Sequence, residues 1–98
     1  MNNQTIQEKV KQRRRQLIVH SYIYYCLDEN IISDRKWSEW AQELVELQQK
    51  YPKESAEVEY WNIFRDFDGS TGFHLTVDCD PWVEPVAKLL LDRRNNKG

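Results

Sequence analysis

A chain of 98 residues with 40% apolar content supports one domain and one modest core, which excludes wholesale disorder and a second folding unit. Four Trp, five Tyr and three Phe make that core ring-rich, and rings bury much area per residue. The net charge of −2 hides a segregation, because residues 1–20 carry five basic groups and one acid, residues 21–86 five and fourteen, and residues 87–98 four and one; basic ends on an acidic body are not the footprint of a general nucleic-acid binder.

The N-terminus, MNNQTIQEKVKQRRRQ, has no apolar signal core behind its charges, and no stretch approaches the ~18 apolar residues of a membrane span. From about Thr5 to Leu27 the pattern is helical. Ile6, Val10, Leu17 and Tyr24 fall near one stripe, while Lys9, Lys11, Arg13 and Arg15 can stay wet. At LIVHSYIYYCL the helix is apolar on nearly all sides, so its C-terminal half is expected to be buried. DENIIS breaks it with turn formers, and Ser33 is placed to cap a second helix. Trp37, Trp40, Ala41, Leu44, Leu47 and Tyr51 then recur at spacings of three and four until Pro52. A third helix is expected from about Ser55 to Phe67, with Tyr60, Ile63, Phe64 and Phe67 on one side. DFDGSTG ends it with two glycines, and FHLTV alternates weakly, as a short extended segment near residues 73–77 would. The last helix is expected from Pro81 to Arg94, with Pro85 either starting it or distorting its first turn. The predicted fold is mostly α: a single domain over residues 1–98, a small bundle of three to four helices, frayed at residues 1–4 and 95–98.

Cys26 and Cys79 stand far apart, one in a helical pattern and one in a polar loop. Such spacing suggests neither a disulfide framework nor a zinc site, and a reducing cytoplasm is the default. Asp66, Asp68, Ser70 and His74 evoke the opening of a calcium loop, but position 77 is Val where that loop wants Glu. A turn built from Asp and Gly is the simpler reading, and no metal is expected. His74, between Phe73 and Leu75, reads as a packing residue. Arg13, Arg14 and Arg15, with Lys9 and Lys11, could touch phosphates, yet a solvated face or pairing with the acidic body accounts for them better.

The segment from His20 to Pro52, HSYIYYCLDENIISDRKWSEWAQELVELQQKYP, resembles the N-terminal helical domain of NAD-dependent DNA ligases. Members of that family have a helix ending in paired aromatic or histidine residues and a short turn with Asp. An (I/P)-S/P-D-x-x-Y-D stretch follows and opens a Leu-rich helix with an acidic, Pro-containing end. The counterparts here are YYCLD at 24–28, IISDRKWS at 31–38, ELVELQQ at 43–49 and YP at 51–52. The resemblance implies a domain that holds the nicotinamide mononucleotide half of NAD. Carried over residue by residue, it implies that Tyr24 faces the nicotinamide. It places Tyr25 where the family often has His, Asp34 at the conserved acid, Trp37 where Tyr is usual and Ser38 where Asp is usual. Tyr and Trp can still stack on a flat base, whereas the change to Ser38 removes an acceptor for ribose hydroxyls.

Each of these positions also has a structural reading. Asp34 at the first helical position stabilises its helix through the dipole. Trp37 and Trp40 lie on the apolar stripe. Tyr24 and Tyr25 point in different directions on a helix, so at most one is expected to face a ligand and the other to join the core. A ligase also needs a lysine nucleophile in a K-x-D-G setting. The sole Asp-Gly is Asp68-Gly69, and Asp66 holds the place of that lysine, so no nucleotidyl transfer is expected of this chain alone. A small stand-alone relative of this domain is the sort of protein found in bacteriophage genomes, working in the cytoplasm of the bacterial host. Three functions remain open: a non-catalytic accessory module that contacts a protein partner, without a cofactor; a binder of NAD or nicotinamide mononucleotide that modulates a ligase or an NAD-dependent process; and a weak nucleic-acid accessory protein.

Overall fold

The computed structural model describes residues 3–70, 72–76 and 80–95. Val77 at the end of the expected extended segment, the polar-loop position of Cys79, and the fraying expected at residues 1–2 and 96–98 lie outside them. Helix α1 spans Asn3–Cys26, α2 Asp34–Lys50, α3 Pro52–Ala56, α4 Trp61–Phe64 and α5 Val83–Asn95, with a 3-10 turn over Phe73–Thr76. The architecture is mostly helical as the sequence predicts, and no strand occurs among the described residues.

Helix α1 is the element on which the others assemble: α2, α3, the 3-10 turn and α5 all pack against it. The core forms where Ile6, Val10, Leu17, Ile18, Val19 and Ile23 of α1 meet Ala41 and Leu44 of α2, Phe64, Phe67 and Leu75 of the middle segment, and Val83 and Ala87 of α5. The C-terminal half of α1 is buried only through Ile23. Tyr24, Tyr25 and Cys26 in its last turn are exposed, which corrects the expectation that one tyrosine joins the core.

Helix α2 follows its sequence signals closely. The Ser33 hydroxyl accepts the Lys36 N–H at 3.0 Å, satisfying a donor the first turn leaves without an intrahelical partner. Between α1 and α2 the chain turns through Asp28, whose φ of 53° lies in the left-handed region that Asp enters more readily than most residues. The N–H groups of Leu27 and Glu29 there donate to the carbonyls of Tyr22 and Ile23, so the end of α1 is closed by its own turn.

The expected third helix is two short ones. Helix α3 starts at Pro52 and stops at Ala56, and Tyr60, with φ 72°, stands left-handed before α4. The cause lies in α1. Arg14 is wholly buried and its guanidinium donates to the carbonyls of Ser55, Val58 and Glu59 at 2.9, 3.0 and 2.9 Å. A continuous helix would direct those carbonyls along its own axis. Over Phe73–Thr76 the expected extended segment is a 3-10 turn instead, because no strand among the described residues lies beside it to complete a ladder. Pro85 distorts nothing: α5 begins at Val83, so Pro85 falls in the first turn, where N–H groups have no helical acceptor.

The arginine run also divides. Arg14 is core and cannot reach a nucleic acid. Arg13 pairs with Glu43 at 3.0 Å, and Arg15 and Lys11 each approach Glu59 at 3.4 Å. For these residues the pairing with the chain's own acids is realised.

Candidate functional site: a cleft between α1 and α2

The last two turns of α1 and the first turn of α2 face each other across the 27–33 connection. Between them lies a cleft of about 240 Å³. His20, Ser21, Tyr24 and Tyr25 line it from α1, Asn30, Ile31, Ile32 and Ser33 from the connection, and Asp34, Trp37 and Ser38 from α2. Ser70 and Gly72 complete the wall from a loop more than thirty residues downstream.

Tyr24, Tyr25, Asp34 and Trp37, the four residues implicated by the sequence, all line this one cleft. Both tyrosines line the cleft. Their rings meet edge to face with centroids 4.9 Å apart, so adjacent residues on the helix present a single aromatic corner. Trp37 is half-buried and performs two tasks. Its ring packs against Phe67 with centroids 6.3 Å apart, and its indole N–H donates to the Ser21 hydroxyl at 3.2 Å. Asp34 is exposed and is the one formally charged side chain among the described residues lining the cleft.

Supports reach the cleft from the C-terminal part of the chain. Arg94 of α5 donates to the Asn30 carbonyl at 2.7 Å and to the Glu29 carboxylate at 3.0 Å, holding the connection from behind. Gly72 is buried against Ser21 and Trp37. A Cβ there would collide with the Ser21 hydroxyl and come within 2.7 Å of Trp37 Cζ2. Asp68 accepts the N–H and hydroxyl of Ser70 at 2.9 and 2.6 Å, which realises the Asp-Gly turn expected from the sequence. His74 is exposed, with its ring 5.9 Å from that of Phe67.

Sequence reasoning missed His20, Ser21, Ser70, Gly72 and Arg94. His20 had a usable signal, since it stands four residues before Tyr24 and so shares its helical face. Ser21, four residues before Tyr25, had the same signal, and Ser70, Gly72 and Arg94 are brought in by tertiary packing. The His20 ring lies 5.5 Å from that of Trp40, and its Nδ1 is buried without a hydrogen-bond partner. Burial lowers the pKa of His20 below its usual 6.5. Above pH 6.5 the ring is neutral in both folded and unfolded chains. As pH falls below that value the unfolded chain takes up the proton first, so stability declines. Urea midpoints measured from pH 7.5 down to 5 are expected to fall, and His20→Gln is expected to flatten that slope.

No described helix is long and apolar enough to cross a membrane. The family model for the DNA ligase-like, N-terminal NAD+-binding domain matches residues 3–57, which take in α1, the connection, α2 and α3. The chain is similar to the DNA ligase of Pseudothermotoga lettingae, with 40% identity over 48 residues, covering 49% of this chain and 7% of that ligase. It is similar to the DNA ligase of Thermoanaerobacter sp. strain X514, with 41% identity over 46 residues, 47% of this chain and 7% of the relative. The DNA ligase of Bacteroides fragilis is 41% identical over 49 residues, 50% of this chain and 7% of its own length. The chain thus spans a small fraction of the curated relatives it matches, and the matched part is their N-terminal NAD+-binding domain rather than the nucleotidyltransferase domain. No solved structure matches it.

Proposed function

Because this chain belongs to the family of DNA ligase-like, N-terminal NAD+-binding domains, we propose that it binds the nicotinamide mononucleotide half of NAD in the cleft between α1 and α2. The observation that carries this reading is the convergence of Tyr24, Tyr25, Asp34 and Trp37 on one cavity. The lining suits such a ligand. Three aromatic rings offer stacking surface for a flat base, the Asp34 carboxylate accepts hydrogen bonds from ribose hydroxyls, and Ser21, Ser33, Ser38 and Ser70 add polar residues to the lining. At about 240 Å³ the cleft falls below the ~300–1,000 Å³ typical of sites for whole drug-sized ligands, and it suits half a dinucleotide better than all of one.

On this reading the domain is a non-catalytic module that holds a ligand. Asp66 stands where a nucleotidyl-accepting lysine would be needed, and no described cluster of side chains offers another nucleophile with its base. Calorimetric titration with nicotinamide mononucleotide and with NAD is expected to give saturable binding. A stacked ring contributes ~1–3 kcal/mol, so Tyr24→Ala is expected to weaken binding by about tenfold or more, and Asp34→Ala to do the same. Heats equal to dilution at millimolar ligand would refute the reading. The exposed Val86 and Leu89 of α5 would then favour an accessory role through a protein partner.

A further inference from the structure

The part of the chain matched to the ligase family ends at residue 57, so what α5 brings to the cleft is this chain's own. It brings a cation. The Arg94 guanidinium donates through Nη1 to the carbonyl of Asn30 at 2.7 Å, and Asn30 lines the cleft. Its Nη2 donates to the Glu29 carboxylate at 3.0 Å. The guanidinium therefore stands against the cleft wall at the Asn30 end of the connection. The Asp34 carboxylate lies at the other end, where the connection runs into α2.

Those positions sort a ligand by charge. A phosphate is repelled from the Asp34 end and attracted to the Arg94 end. The basic side chains that follow Asp34 do not offset it, since Arg35 and Lys36 both approach Glu39, at 3.6 and 4.0 Å. Arg94 also has suitable donor geometry, a planar fork that grips phosphate oxygens in pairs. Glu29 takes one prong of that fork. Its side chain is 49% exposed and that of Arg94 36%, and an ion pair so open to water contributes little to stability. A phosphate dianion has more charge and more acceptor oxygens than a carboxylate, so it displaces Glu29 while Nη1 stays on Asn30.

Resting on the reading above, we propose that Arg94 determines specificity at this cleft: it recognises the phosphate of a mononucleotide, and the Glu29 carboxylate holds that place until the ligand arrives. The preference for a nucleotide over its nucleoside then comes from a residue outside the part matched to the family.

The test is titration of the full chain and of Arg94→Gln, Arg94→Lys and Glu29→Gln with nicotinamide mononucleotide and nicotinamide riboside at one ionic strength. Circular dichroism checks each fold. The parent is expected to bind the mononucleotide at least about fivefold more tightly than the riboside. Arg94 also braces the connection, so Arg94→Gln is expected to weaken both ligands, but the mononucleotide by at least about fivefold more. Arg94→Lys keeps the charge without the fork and is expected to retain part of the preference. Glu29→Gln leaves Arg94 in place and is expected to widen the preference. A parent preference below about fivefold, equal weakening of both ligands in Arg94→Gln, or a preference that Glu29→Gln fails to widen would overturn the proposal while leaving mononucleotide binding standing. Absence of binding by both ligands would instead overturn the reading on which the proposal rests.

Discussion

Arg14→Ala is expected to leave the chain largely unfolded at room temperature. The guanidinium is the largest side chain to be wholly buried and donates five hydrogen bonds. Two go to Gln48 Oε1 at 3.1 and 2.8 Å, and three to the carbonyls of Ser55, Val58 and Glu59. Gln48 passes the network on by donating to the Phe64 carbonyl at 2.9 Å. The rings of Trp61 and Phe64 lie 5.6 and 5.7 Å from the guanidinium carbon. Burial pulls the pKa down to about 10, still far enough above neutrality for the group to stay charged and keep all its donors.

Removing one side of a buried charged network typically costs ~3–5 kcal/mol, and small domains have only ~5–15 kcal/mol in total. The informative comparison is Arg14→Met. It refills most of the volume but leaves the Val58 and Glu59 carbonyls without the donor they have here, while that of Ser55 keeps the Val58 N–H at 3.3 Å; a buried carbonyl left unsatisfied costs ~1–3 kcal/mol. Arg14→Met is therefore expected to lose nearly as much as Arg14→Ala in urea denaturation. A methionine variant as stable as the parent would mean that volume, and not the carbonyl acceptors, is what Arg14 supplies.

Gly72→Ala is expected to damage stability and ligand affinity together. The added Cβ would collide with the Ser21 hydroxyl and come within 2.7 Å of Trp37 Cζ2, so the Trp37–Ser21 hydrogen bond, at 3.2 Å, must break or the loop must move away. Overpacking of this kind costs ~1–3 kcal/mol. The first response shifts a ring that lines the cleft and the second displaces the Ser70–Gly72 wall, and in either case affinity for nicotinamide mononucleotide is expected to fall by about tenfold. Ser21→Ala removes the hydroxyl, the nearest of the atoms the new methyl would meet, and leaves Trp37 Cζ2 at 2.7 Å and the Cβ of residue 21 at 3.1 Å. The double variant is accordingly expected to be more stable than the sum of the single losses predicts, because both substitutions act on the same contact. Additive losses in urea midpoints, with unchanged affinity in Gly72→Ala, would show that the 68–72 loop is not part of the site.

Where local signals govern, the chain is readable without its structure. The stripe of Trp37, Trp40, Ala41, Leu44, Leu47 and Tyr51 locates α2, and Ser33 marks its start because capping needs only the residue and its next turn. Tyr24, Tyr25, Asp34 and Trp37 are legible as a group through the resemblance to the ligase domain, whose helix, turn and helix are contiguous in sequence and so leave one unbroken match. The third helix is misread for the converse reason. Tyr60, Ile63, Phe64 and Phe67 keep a helical spacing, and nothing in their neighbourhood reveals that Arg14, more than forty residues earlier, takes the carbonyls that a continuous helix would use. Arg14 itself is hidden in a run of three arginines. Its position four after Val10 and three before Leu17 places it on the buried face, but arginine is so seldom buried that composition argues the other way.

From sequence alone come the helical class, the α1–turn–α2 hairpin and its cap, all consequences of periodicity and of interactions spanning a few residues, and, through the resemblance to a known family, the four candidate ligand-binding residues. Tertiary structure alone decides which arginine is core, where the middle segment breaks, and how Gly72, Ser70 and Arg94 close and brace the cleft. Those outcomes depend on hydrogen bonds and close contacts between residues distant in the chain, whose geometry exists only once α1 has gathered the other elements around it.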